Sequence, residues 1–328
     1  MRLRHSRGSL VAGVALALTL HAGAAPGARA QAADEAALFL LLPIGARSVG
    51  MGNAMSTASH TTEALWWNPA GLAAGRRAEA SLHHSQTLVG TGDALAFTLT
   101  SARRGVFALA ANLLDYGGGE VTGPDSIPSG QLYSRYIAVA ASYASQIGNR
   151  IRAGLTYKLL QFRFDCSGEC PDLPSRRAST SALDAGVQYD LPIGIPLSVG
   201  AVVRNVGVRL DADQADALPT RIQVGALGHY TIPKTLAADA RISLAVDVID
   251  ELPLRRPLPR VGAEFSWDSS VFIRGGYVVE SADTEAGGAS LGIGFVVRRL
   301  TIDFARSFSG LSADAGQAPT YLSLRVRF

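Results

Sequence analysis

The densest run of side chains able to do acid–base or nucleophilic chemistry is His83-His84-Ser85. The surrounding residues alternate in polarity, as an extended strand does. Neighbouring strand residues point to opposite faces, so His83 and His84 cannot both serve one site. A lone His and Ser on a strand is more often structural than catalytic, because general-base chemistry needs a partner within hydrogen-bond reach. The chain has no Gly-x-Ser-x-Gly elbow and no His-Glu-x-x-His pair. Gly50-Met-Gly52 lacks a preceding strand and the rest of a dinucleotide-binding glycine pattern. The expectation is therefore a non-enzymatic protein with no catalytic, cofactor-binding or metal-ligating residues and no cofactor.

The two cysteines lie in Cys166-Ser-Gly-Glu-Cys170 with no His nearby, which disfavours a metal site. Whether they pair depends on the compartment, and the N-terminus speaks to that. Arg2, Arg4 and Arg7 precede an apolar run over 10–20, and Ala28-Arg29-Ala30 has the small-x-small form of a cleavage site. This reads as an export signal over 1–30, cleaved near Ala30. No later apolar run reaches the roughly 18–20 residues of a spanning helix. An exported chain meets an oxidising compartment, so a Cys166–Cys170 disulfide in an outer loop over 165–180 is expected.

These side chains must be positioned by strands. The chain ends on Tyr321-Leu-Ser-Leu-Arg-Val-Arg-Phe328, with Leu322, Leu324, Val326 and Phe328 on one face and Tyr321, Ser323, Arg325 and Arg327 on the other. The same two-residue period recurs over 78–88, 94–101, 106–115, 135–144, 151–164, 181–190, 197–208, 221–230, 242–250, 260–267, 271–279, 289–297 and 300–308. Fourteen such strands behind an export signal read as an all-β, antiparallel up-and-down transmembrane barrel over 77–328, placed in a bacterial outer membrane. With Phe328 set at the periplasmic side, the short connections at 298–299, 268–270, 192–196 and 146–150 share one rim. Longer ones at 309–320, 280–288, 251–259, 209–220, 165–180 and 116–134 share the other. The connections at 231–241 and 89–93 fit this asymmetry poorly.

Parity sorts the faces. Tyr143, Tyr189, Tyr230, Trp267 and Phe328 fall on the outward parity at the same strand end, as a periplasmic aromatic girdle would. The opposite parity carries Arg152, Lys158, Asp184, Arg204, Asp247, Glu264, Arg274, Asp303 and Arg325. In a narrow lumen these mixed charges most simply pair with one another and with the N-terminal segment. Composition agrees: 48% hydrophobic, 17% charged and 35 glycines, with a dispersed net charge of +3 that suggests no nucleic-acid partner. A soluble β-sandwich is the competing class; the terminal Phe328 and the girdle argue against it.

Residues 31–76 lack sustained alternation. A short helix is expected from Asp34 to Leu42, ended by Pro43, and Asn68 is expected to cap a turn that Pro69 begins. Two stretches, Gly45-Ala-Arg-Ser-Val-Gly-Met-Gly-Asn-Ala54 and Glu63-Ala-Leu-Trp-Trp-Asn-Pro-Ala-Gly-Leu72, resemble the start of the PorV/PorQ family of FadL-like outer-membrane barrels. The match covers about 28 residues. It implies a fourteen-stranded barrel whose lumen holds an N-terminal plug, shaped by Gly45, Arg47, Gly50, Gly52, Trp66, Trp67, Asn68, Pro69 and Ala70. Its PorV branch implies a type IX-like carrier serving protein secretion or surface attachment, which is the favoured expectation. The alternative is a FadL-like passive channel for hydrophobic small molecules such as fatty acids. The expected partners are outer-membrane lipid, the barrel-assembly machinery through the C-terminal strand, and either secreted proteins or hydrophobic solutes.

Overall fold

The computed structural model describes residues 37–101, 103–122, 128–170, 175–207, 217–233, 235, 239–251, 257–279, 287–308 and 316–328. The export signal over 1–30 and the first part of the expected helix at 34–42 lie outside the described residues. Within the described part, that helix reduces to a 3-10 turn at Leu38–Leu41. Leu42 is already extended, as a residue preceding proline tends to be.

Fourteen strands follow: β1 Glu79–Gln86, β2 Thr91–Ser101, β3 Gly105–Thr122, β4 Pro128–Ile147, β5 Ile151–Gly168, β6 Arg176–Asp190, β7 Leu197–Gly207, β8 Arg221–Thr231, β9 Ala240–Glu251, β10 Leu258–Trp267, β11 Val271–Val278, β12 Gly288–Val297, β13 Leu300–Phe308 and β14 Thr320–Arg327. Each pairs antiparallel with its sequence neighbours. β1 also pairs with β14, from Glu79 opposite Arg327 to Gln86 opposite Thr320, so the sheet closes on itself. A closed ring leaves no strand edge with unpaired backbone groups, which is what a lipid environment demands.

Two expected outer loops are largely strand. The stretch 116–134 continues β3 to Thr122 and starts β4 at Pro128, and 165–180 continues β5 to Gly168 and starts β6 at Arg176. The run Gly117–Gly119 carries no alternating side chains. It is held by backbone pairing of Gly118 to Tyr133 and Gly119 to Leu132, after a bulge at Asp115. β3 to β6 therefore have 18, 20, 18 and 15 residues, against at most 12 in any other strand. The extensions share the rim of the longer connections. At about 3.3 Å per residue they raise one side of the wall by roughly 20 Å.

The two faces differ sharply. Outward positions carry large apolar side chains left exposed, among them Leu95, Phe107, Leu109, Leu155, Leu244 and Leu291. Inward positions are small on β2 to β4, with Ala94, Ala96, Ala108, Ala110, Ala138, Ala140 and Ala144 all buried. On β5 to β14 the inward positions include most of the charges. The small side of the interior gives room for Leu65, Trp66, Trp67 and Leu72, which pack into one apolar cluster with Ala94, Ala96, Ala108, Ala110, Ala140 and Ala144.

Candidate functional site

The candidate site is the interior face of the barrel together with residues 37–76. Two short helices, α1 at Ala46–Gly50 and α2 at Ala64–Trp67, and a 3-10 segment at Pro69–Ala74 order this stretch. Helices this short do not hold themselves, because nucleation costs more than one or two hydrogen bonds return. They are held by wall contacts. α1 packs on β11 to β14, and the 3-10 segment on β3 to β6.

Gly45 starts α1 at φ 100°, and the next residue's N–H donates to Ser323 Oγ at 2.8 Å. Gly50 lies against Arg274 and Gly292. Gly52, at φ 58°, sits directly on Gly276: a Cβ on Gly276 would overlap the Gly52 backbone, and one on Gly52 would overlap the backbone of Val261 and Tyr277. Close backbone approach is the physical reason for glycine here. Asn68 caps the 3-10 segment: its Oδ1 accepts from Ala70 N–H at 3.1 Å, and Pro69 takes the first position. Its Nδ2 donates to Ser56 O at 2.6 Å and approaches Ala201 O at 3.3 Å. Pro69 and Ala70 are fully enclosed beside Gly154 of β5. Trp66 and Trp67 are 7% and 3% exposed, and Trp67 Nε1 donates to Ile44 O at 3.0 Å.

Two polar centres join the segment to the wall. In the first, Glu264 Oε2 accepts from Arg274 Nε at 2.6 Å and from Arg47 Nε at 3.3 Å. Arg274 also reaches Asp303 at 2.7 Å, and Arg325 donates to the other oxygen of Asp303. Three guanidinia thus share two carboxylates, and every wall member is buried. Removing one member of such a buried cluster leaves an uncompensated charge and costs about 3–5 kcal/mol. Glu63, at the N-cap of α2, borders this cluster, fully buried, with no hydrogen-bond partner on either carboxyl oxygen among the described residues. Burial pushes its carboxyl above the ordinary range and outweighs the pull of Arg325 and Arg47.

In the second centre, Asp247 of β9 accepts from Ser56 N–H and Ser56 Oγ, both at 2.7 Å, and from Gln223 Nε2 at 2.6 Å. Gln188 Nε2 donates to Ser56 O at 3.1 Å and Ala58 O at 2.9 Å. Nearby, Lys158 Nζ lies 2.7 Å from Asp184 and 2.8 Å from Asn205 Oδ1. The Arg204 guanidinium stacks 5.1 Å over Trp67. Lys158 and Arg204 line a small cleft with Phe39, Leu42, Ile44 and Trp67, and Phe39 itself stacks on Tyr136 of β4 at 4.5 Å.

The remaining singled-out residues sit as follows. Arg152 is half-buried and pairs with Asp190 at 2.6 Å, away from both centres. Tyr143, Tyr230, Trp267 and Phe328 are exposed, and Tyr189 is half-buried. Cys166 ends up on β5 rather than at a loop tip and is joined to Cys170 by a disulfide. His83 is buried between Ser81 and Ser323, while His84 faces outward and pairs with Asp93 at 2.7 Å. Among the described residues, no group of three or more His, Cys, Asp or Glu is placed to hold a metal.

Glu63, Glu79, Gln188 and Gln223 were not singled out from the sequence, although each holds or borders the segment. Thr62 N–H and Oγ1 both donate to Glu79, at 2.8 and 3.0 Å. Gln188 and Gln223 share the inward parity of Asp184 and Arg221, and parity could have found them.

The sequence matches no protein-family model, and no curated protein matches it. Solved structures do match in fold. The Ralstonia pickettii toluene transporter TbuX aligns over 87% of this chain and 98% of its own, at TM-score 0.56 and 14% identity. The Pseudomonas putida toluene transporter TodX aligns over 87% and 98%, at 0.55 and 11%. A Pseudomonas aeruginosa FadL homologue aligns over 88% and 98%, at 0.51 and 11%. At these identities the likeness establishes a shared fold: a closed fourteen-stranded FadL-like barrel. TbuX and TodX are each described as a toluene transporter.

Proposed function

We propose that this protein is an outer-membrane barrel that passes hydrophobic small molecules, with residues 37–76 acting as a movable plug. The observation that carries the reading is the whole-barrel likeness to TbuX, which spans 98% of a chain described as a toluene transporter. The exposed apolar outer face supports a lipid surround, with Tyr143, Tyr230, Trp267 and Phe328 at one boundary. The plug role rests on the hydrogen bonds from Ala46, Arg47, Ser56 and Thr62 to inward side chains on opposite sides of the ring.

The direct test is uptake. Cells lacking the protein should take up dilute radiolabelled toluene more slowly than cells carrying it, and plasmid-borne copies should restore the rate. Equal uptake with and without the protein defeats the channel. Deleting 37–76 should raise single-channel conductance in planar bilayers if the segment obstructs the lumen.

The secretion reading rests on the N-terminal motif and its PorV/PorQ resemblance. Pull-down from detergent-solubilised outer membranes separates the two. Recovery of exported proteins sharing a C-terminal signal supports the carrier; co-purified hydrophobic solutes without a protein partner support the channel.

A further inference from the structure

The raised wall sets three arginines side by side where its outer face leaves the apolar band. Arg135 of β4 lies directly opposite Arg163 of β5, and Arg163 directly opposite Arg177 of β6. Their parity is the outward one, shared with the exposed Val139, Leu155, Leu159 and Leu183. The height of this row follows from the register. Ile147, Ile151 and Tyr189 form a second row of opposed residues, at the rim of the short connections. Twelve residues separate the two rows on each of the three strands. At about 3.3 Å per residue and a tilt of about 40° this is roughly 30 Å, the thickness of a bilayer's hydrocarbon core. The arginines therefore stand at the far boundary, level with the headgroups of the outer leaflet.

Like charges directly opposite one another on a sheet repel, and this row holds three in succession. The described residues supply only part of the counter-charge. Asp115 takes Arg135 at 2.9 Å. Asp165 lies 3.7 Å from Arg163 Nε, beyond hydrogen-bond reach, and that Nε is buried without a hydrogen-bond partner. Arg177 is exposed and has no ion pair among the described residues. A phosphate group fits the deficit. Its oxygens accept paired N–H bonds from guanidinia, and strands about 4.8 Å apart let one phosphate bridge two arginines. Gln161 and Ser179, opposed in the next outward row toward the apolar band, add uncharged donors. The apolar surface directly below suits acyl chains, which a free anion would not use. We propose that Arg135, Arg163 and Arg177 form a docking site for the phosphorylated headgroup of an outer-leaflet lipid, with its chains lying along Leu159 and Leu183. The site is separate from the transport path and rests on the lipid surround of the barrel.

The test uses the full-length purified protein in detergent micelles, titrated with diphosphoryl lipid A and read by native mass spectrometry. The unaltered protein should bind this lipid at least tenfold more tightly than the same lipid stripped of both phosphates. The double variant Arg163→Gln/Arg177→Gln should lose at least tenfold in affinity for the diphosphoryl form while still migrating as a heat-modifiable barrel. Arg298→Gln/Arg299→Gln, at the opposite rim, should stay within twofold of the parent. A tenfold excess of inorganic phosphate should leave the lipid bound. If the Arg163→Gln/Arg177→Gln protein fails to fold, the comparison of the two lipid forms on the unaltered protein decides alone. Equal binding of the two forms overturns the proposal, as do equal losses in the two double variants or displacement by inorganic phosphate. Protein that stays in solution without detergent overturns the membrane reading and this site with it.

Discussion

Asp247→Asn should loosen the N-terminal segment without opening the barrel. The carboxylate is fully buried and accepts three hydrogen bonds, two from Ser56 and one from Gln223. Only the two from Ser56 join segment to wall. A hydrogen bond to a charged group contributes about 1.5–3 kcal/mol, against about 0.5–1.5 kcal/mol for a neutral pair. Asparagine keeps one oxygen and replaces the other with a donor. With its oxygen in the Oδ2 place, asparagine still accepts from Ser56 N–H and Gln223, and its amide donates to a Ser56 hydroxyl that must turn to accept. Both bonds to the segment then change from charged to neutral, so docking should weaken by about 2 kcal/mol. This is roughly a 30-fold fall in the docked-to-released ratio at about 1.4 kcal/mol per decade. Gln188 and Asn68 still hold Ser56 O, so the effect should be graded rather than complete. The assays are single-channel conductance and limited proteolysis within 37–76 of the reconstituted protein, with heat-modifiable gel migration to verify the barrel. Ser56→Ala, which removes one of the two bonds, should show the same change at about half the free energy. An Asp247→Asn barrel that migrates normally and matches the parent in conductance and proteolysis would refute the assignment of Asp247 as an anchor.

The buried Glu63 predicts a pH dependence. Its carboxyl is held above the ordinary value, so the docked state binds the proton more tightly than the released one. Docking is then strongest at acid pH and weakens as pH rises from about 4.3 through the raised value. Glu63→Gln should flatten that profile in a tryptophan-fluorescence denaturation series from pH 4 to 8; an unchanged slope counts against it. Asp303→Asn should destabilise the whole barrel by about 3–5 kcal/mol, because Arg274 and Arg325 lose their shared counter-charge. A urea midpoint within error of the parent would contradict that. Reducing Cys166–Cys170 should cost only on the order of 2 kcal/mol, since the closed loop is short. Mass spectrometry of unreduced protein should find no free thiols.

The barrel was legible because each spanning strand has two different surroundings. Alternation such as Leu322, Leu324 and Val326 against Ser323 and Arg325 is a local property, readable without any partner, and it predicted all fourteen strands. The same parity assigned Asp184, Arg204, Glu264 and Asp303 to the interior, where they are buried. Local pattern fails where a strand has the same surroundings on both faces. The raised ends of β3 to β6 show this: Gly117–Gly119 reads as a turn, and only pairing with Leu132 and Tyr133 makes it strand. Nor does parity say which charges meet. Asp303 and Arg325 are neighbours because β13 and β14 pair in one register, and Arg47 reaches Glu264 across 217 residues of chain. The order of the N-terminal segment was the least legible part. Its helices are too short to stand alone, and Ser56, Glu63 and Asn68 acquire their surroundings only from side chains the closed ring brings together. Face and strand number are set by residue spacing; partners and seating are set by closure, because only a closed ring fixes the distances between residues so far apart in sequence.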